Sequence, residues 1–139
     1  MDFLDLLLGE PLYERRTVSY KGTRFNVEVA DSFRKVSKGL MNRTKLKKNE
    51  GMLFIFGHPG RIGFWMLHMK FSIDIIWLDE EGKIVYVWEY AEPCSSIFSC
   101  RTVTPNRDAK YVVELRAGTA KRLGIRIGGR FDLQQLCNY

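Results

Sequence analysis

Glutamine is nearly missing from this 139-residue chain. It occurs only as Gln134 and Gln135, while Lys, Arg and Glu are plentiful. That bias is a feature of proteins that work hot, and it points to a thermophilic source. Long apolar runs are missing too. The N-terminal stretch MDFLDLLLGE carries Asp2 and Asp5 and has no basic start. It is neither a usual signal peptide nor a membrane span, which needs roughly 20 apolar residues. The chain therefore reads as cytoplasmic and soluble, with no membrane partner. Repeats, low-complexity segments and linkers are also absent. One domain over residues 1–139 is expected, with 1–14 an N-terminal extension packing on the barrel and 15–133 the barrel core. Residues 2–8 are apolar enough for about two helical turns that would not fold alone.

What is present is ordinary for a globular chain: 45% apolar and 27% charged residues exclude disorder. Three Trp, six Tyr and nine Phe tilt the class toward β. The net charge of +6 is uneven. Arg34, Lys35, Lys38, Arg43, Lys45, Lys47 and Lys48 fall in one segment with no acid. Such a run either solvates a helix face or meets an anionic partner such as nucleic acid.

Periodicity organises the chain. Val18 and Tyr20, then Phe25, Val27 and Val29, alternate with polar residues around Lys21-Gly22, which predicts an antiparallel hairpin. Asp31-Ser32 caps a short helix over about 32–39 that ends at Gly39. A buried strand is expected at Met52–Phe56, followed by a loop from Gly57 to Gly63. The residues around 63–92 are the most apolar in the chain and predict central strands covered on both faces, one of them spanning Phe64–Met69. Tyr111–Leu115 reads as a further strand, 117–124 as a short helix, and Ile125–Leu133 as a last hairpin. About eight short strands with tight turns and one or two short helices predict a mainly β protein. The architecture expected is a compact antiparallel β-barrel or jelly-roll-like sandwich.

Three motifs occur in order: VEVADSFRKVSKGLMNR with GMLFIF, FWMLHMKFSIDIIWLDEEGKI, and KYVVELRAGTAKRLGIRIGG. Together they resemble domain-of-unknown-function family 192, also called uncharacterised protein family 0127, over about residues 25–132. The resemblance implies a compact β-rich barrel or jelly-roll-like fold spread through bacteria and archaea, with some bacterial members exported. It implies no activity and no catalytic residues. The family usually follows FWM with Lys-Asn-Thr, where this chain has Leu67, His68 and Met69. Its frequent loop cysteine pair corresponds to Cys94 and Cys100.

Asp74 is the strangest residue, a carboxylate on a strand of Ile and Leu. It must be either at a barrel mouth or buried with a partner, for which Arg43 is the expected cation. Glu114 shares a strand face with Val112 and Arg116 and is a candidate second carboxylate for general acid/base chemistry with Asp74. Cys94 and Cys100 enclose five residues. A disulfide is the first reading of that spacing, free thiols the second and a metal site the third. Met41, Met52, Met66, Met69, His58 and His68 would suit a soft metal if they converged, but methionine against aromatics reads first as core. The loop Gly57–Gly63 with Arg61 lacks a phosphate-cradling pattern. No metal and no cofactor are expected.

The leading expectation is thus a binding module for a small polar ligand, its pocket lined by Asp74, Arg43, His68 and Glu114. Two alternatives remain at this level: a hydrolase or isomerase using paired carboxylates, and nucleic-acid binding through segment 34–48. The second lacks an evident exposed aromatic platform. Oligomeric state is not legible in the sequence.

Overall fold

The computed structural model describes residues 3–133. Seven strands form one mixed sheet: β1 (Arg15–Tyr20), β2 (Thr23–Ala30), β3 (Glu50–Gly60), β4 (Ile73–Leu78), β5 (Ile84–Ala91), β6 (Ala109–Arg116) and β7 (Phe131–Asp132). Three short helices accompany them: α1 (Phe3–Leu8), α2 (Phe33–Lys38) and α3 (Thr119–Leu123). The spatial order is β5-β4-β6-β3-β2-β1-β7. The sheet curls into a half-barrel, and its two ends meet at one seam. There Ile84 donates to Gly129 O (2.8 Å), Gly128 donates to Ile84 O (3.0 Å), and Phe131 donates to Gly82 O (2.9 Å).

The expected antiparallel barrel is corrected in one joint, because β2 and β3 pair in parallel. A parallel neighbour needs a crossover, and the segment containing α2 provides it. Ser32 caps α2 by accepting from Lys35 N, and Gly39 (φ 50°) ends it. The hairpin β1–β2 turns at Lys21 and Gly22, both at positive φ, and buries Val18, Tyr20, Phe25, Val27 and Val29 as the alternation requires.

Three further expectations are corrected. Residues 64–69 form no strand, because only single bridges join Phe64 to Val103 and Leu67 to Cys94. This apolar stretch is a loop lying across one face of the sheet, and apolar content alone does not separate the two cases. Residues 57–60 extend β3 through an irregular register that brings Gly60 opposite Ala109. The last hairpin shrinks to the two residues of β7, since 125–130 are taken up by the seam.

Each face of the sheet has its own apolar core. Val18, Phe25, Val29, Leu53, Ile76, Leu78, Val113, Leu115 and Phe131 fill the inside of the curl. Met52, Phe54, Ile73, Ile75, Trp77 and Val112 face the other way. That outer core is covered by Leu40 and by Met66 and Met69 of the long loop.

The apolar residues of α1 do not join either core. Phe3, Leu6, Leu7 and Leu8 are exposed, and the helix is held by buried Asp5, which pairs with Arg34 and Lys38 of α2. Lys38 and Arg34 lower the Asp5 pKa against the opposing effect of burial. Among the described residues no helix is long and apolar enough to cross a membrane.

Candidate functional site

Asp74 is completely buried on β4, and its partner is not Arg43. One carboxyl oxygen accepts from Tyr90 N (2.9 Å) and the other from Ala120 N (2.8 Å). Tyr90 has φ 49° and sits at a bulge, where the β4–β5 register slips between Ile73 and Ile75. The bulge turns an amide out of the ladder, and Asp74 satisfies it. Ala120 lies in the first turn of α3, whose N-cap is Gly118 and offers no side chain. Asp74 thus caps α3 from a different element and ties β4, β5 and α3 together. Both of its oxygens are used and neither reaches solvent.

Glu114 is on β6 and faces the other way. In the register, Asp74 is opposite Leu115, while Glu114 is opposite both Ile75 and Met52. Directly paired side chains share a face and neighbours in sequence alternate. The two carboxyls therefore leave the sheet on opposite sides and do not act on one substrate as a pair.

Glu114 opens instead into a cavity of about 280 Å³ between the outer core, the C-terminal end of α2 and the long loop. Phe54, Phe56, Phe64, Trp65, Leu67 and Met69 are among the residues of its wall. The loop roofing it is pinned to the floor by Trp77, which donates its indole N–H to Ile62 O (2.8 Å). Phe64 adds edge-on contacts with Phe54 (4.9 Å) and Trp77 (5.8 Å). Among the described residues the Glu114 carboxyl has no hydrogen-bond or ion-pair partner. Burial alone pushes its pKa up to about 8, so it holds a proton at neutral pH.

Arg43 lies outside this cavity. Its guanidinium makes a two-pronged bond to Glu28, one prong at 3.2 Å, and stacks over the Tyr13 ring at 5.3 Å. Burial opposes its charge, but Glu28 more than compensates and raises its pKa. Arg43 lines a separate, more polar recess with Tyr13, Glu28 and Lys45. His68 is exposed at φ 60° on a third recess, beside Asn42 and Cys94. Its backbone links the loop to Cys94 O (3.3 Å) and to Asn42 N (3.0 Å). The four candidates therefore occupy four different environments, and only Glu114 looks into an apolar cavity.

Cys94 and Cys100 form a disulfide that closes the loop beside Leu67. Cys137 lies outside the described residues. No cluster of three or more His, Cys, Asp or Glu able to hold a metal occurs among the described residues. In the basic segment, Arg34 and Lys38 are paired with Asp5, Lys35 with Asp31 and Arg43 with Glu28.

Residues 16–133 match the family model DUF192, described as "Uncharacterized ACR, COG1430". The chain belongs to the DUF192 family. The UPF0127 protein of Pyrococcus abyssi is 31% identical to this DUF192 chain over 130 residues, covering 90% of this chain and 97% of the relative. That of Pyrococcus furiosus is 29% identical over 118 residues, covering 84% and 93%. Among solved structures, a "putative transcription regulator" from Sinorhizobium meliloti 1021 superposes with a TM-score of 0.81 at 30% identity, covering 89% of the DUF192 chain and 97% of its own. A protein of unknown function from Novosphingobium aromaticivorans DSM 12444 gives 0.75 at 29% identity, covering 85% and 84%.

Proposed function

We propose that this DUF192 chain is a binding module whose ligand enters the cavity over Glu114. The observation that carries the reading is a carboxyl only 4% exposed, with no partner among the described residues, in a cavity walled mainly by aromatic and aliphatic side chains. A buried polar group costs free energy until something hydrogen-bonds to it. Here the group missing from the pair fits a bound molecule. The binding-module expectation is kept, but its pocket moves away from Asp74, Arg43 and His68 and becomes mainly apolar. The ligand is small, since ligand pockets commonly run from roughly 300 to 1,000 Å³.

Nucleic-acid binding is less well supported. The description of the S. meliloti structure and the basic segment both favour it. Yet Arg34, Lys35, Lys38 and Arg43 are already paired within the chain.

The test uses benzyl alcohol, benzylamine and benzoate, three probes of one size with different polar ends. In ¹³C-methyl methionine spectra, at least one shifts Met41 and Met69, which line the cavity, and leaves Met66 in place. If none of the three moves Met41 or Met69 at millimolar concentration, the reading fails.

A further inference from the structure

We propose that the cavity over Glu114 is built to take a small organic ammonium ion, a primary amine on a compact aliphatic or aromatic body. This inference rests on the binding reading above and adds the chemical class of the ligand.

Three features of the cavity favour a cation. Among the described residues, Glu114 is the acid on the cavity wall and has no cation of its own. The rings of Phe54, Phe56, Phe64 and Trp65 also line it, and aromatic faces attract ammonium groups in desolvated sites. Finally, the C-terminal end of α2 reaches the wall through Ser37, Lys38 and Gly39. The carbonyl end of a helix carries partial negative charge. Lys38 is the one cation on this wall among the described residues, and its ammonium is bound to the Asp5 carboxylate.

Other ligand classes fit less well. An anion would face Glu114 with no available counter-charge. A neutral apolar molecule would leave the carboxyl buried and unpaired. A hard metal ion needs about six oxygen ligands, and the wall offers one carboxylate. The volume of about 280 Å³ suits a body the size of benzylamine or isopentylamine.

Binding should be coupled to a proton. Below the Glu114 pKa of about 8 the free site holds a carboxylic acid. An incoming ammonium keeps its own protons and pairs with the carboxylate, so the Glu114 proton leaves to solvent. The complex then contains one fewer proton than its separated components.

Calorimetry with benzylamine and benzyl alcohol, on the wild type and on Glu114→Gln, tests this. Benzylamine should bind at least about tenfold tighter than benzyl alcohol, and its affinity should rise close to tenfold per pH unit from pH 6 toward pH 8. Comparing buffers of different ionisation enthalpy should show about one proton released per amine bound at pH 6 to 7. Glu114→Gln should lose at least tenfold toward benzylamine along with the pH dependence, so that its preference for benzylamine over benzyl alcohol disappears. Equal binding of both probes with no effect of Glu114→Gln, or preferential binding of benzoate, overturns the ammonium assignment and leaves the cavity as a ligand site. No heat and no methionine shift with any probe overturns both.

Discussion

Asp74 and Glu114 lie one register step apart on adjacent strands, yet their carboxyls emerge on opposite faces of the sheet. The first is saturated by two backbone amides and the second has no partner among the described residues. One is a joint of the fold and the other faces a cavity. Substitutions at the two positions should therefore have opposite signs.

Glu114 should make stability fall as pH rises. Its folded pKa is raised from 4.5 to about 8. Between those values the unfolded chain has released the proton while the folded chain still holds it, so unfolding is favoured by increasing pH. Below 4.5 both states are protonated and there is no penalty; above about 8 the penalty is complete. By pH 7 it amounts to about 3 kcal/mol. Urea denaturation from pH 5 to 8 should show the decline in the wild type, and Glu114→Gln should flatten it and be the more stable protein at pH 7.

Asp74→Ala should be strongly destabilising at every pH near neutrality. It leaves the amides of Tyr90 and Ala120 buried without acceptors, at a cost of about 3 kcal/mol or more. Asp74→Asn keeps one acceptor and should lose less. Neither change touches the cavity, so benzylamine affinity at 10 °C should be that of the wild type as long as the variant is folded. A midpoint change below about 0.5 kcal/mol in urea would contradict the joint assigned to Asp74.

The fold was legible where the signal is local. The β1–β2 hairpin announces itself by alternation and a Lys-Gly turn, and α2 by its Ser32 cap and Gly39 stop. Asp74 was conspicuous because nothing around it is polar, and Glu114 in YVVEL carries the same signal. What one chain could not reveal is register. Whether two acids on neighbouring strands meet depends on a single-residue offset, here the uninterrupted β4–β6 register that sets Asp74 opposite Leu115 and Glu114 opposite Ile75. Arg43 reads from sequence as the partner of Asp74 rather than of Glu28 for a similar reason. The parallel β2–β3 pairing brings Glu28 beside the segment after α2, and no local pattern announces a parallel neighbour. The roof loop reads as a strand because a short apolar run does not by itself separate a strand from a covering loop, and only part of it (Met66, Leu67, Met69) is buried while Trp65 and His68 are exposed.

Gly82→Ala should open the seam. Gly82 has φ 81°, and an added Cβ would lie 2.6 Å from Phe131 O, so the substitution is both conformationally strained and blocked by backbone. A loss of at least about 1 kcal/mol is expected. In hydrogen exchange, the amides of Ile84 and Phe131 should lose protection first, while those of β3 and β6 follow only global unfolding.

Asp5→Ala should release α1 while leaving the sheet intact. Protease should then cut near Gly9 at concentrations the wild type resists. Acid should mimic the substitution. The Asp5 pKa is lowered by Lys38 and Arg34, so its contribution is present above the ordinary carboxylate pKa and disappears as pH falls through the lowered one. Exchange protection of α1 that persists unchanged in Asp5→Ala would contradict this anchor.

The position of β6 has a consequence for the living ribosome. This strand separates β3 from β4, which are neighbours in sequence but not in the sheet. A nascent chain that has emerged only through β5 can close the hairpins β1–β2 and β4–β5 but has nothing to join them. The two halves, with their apolar faces open, must wait until residues 109–116 arrive and complete the centre of the sheet. Synthesis of this protein therefore passes through a period in which its most aggregation-prone strands are made and unmatched.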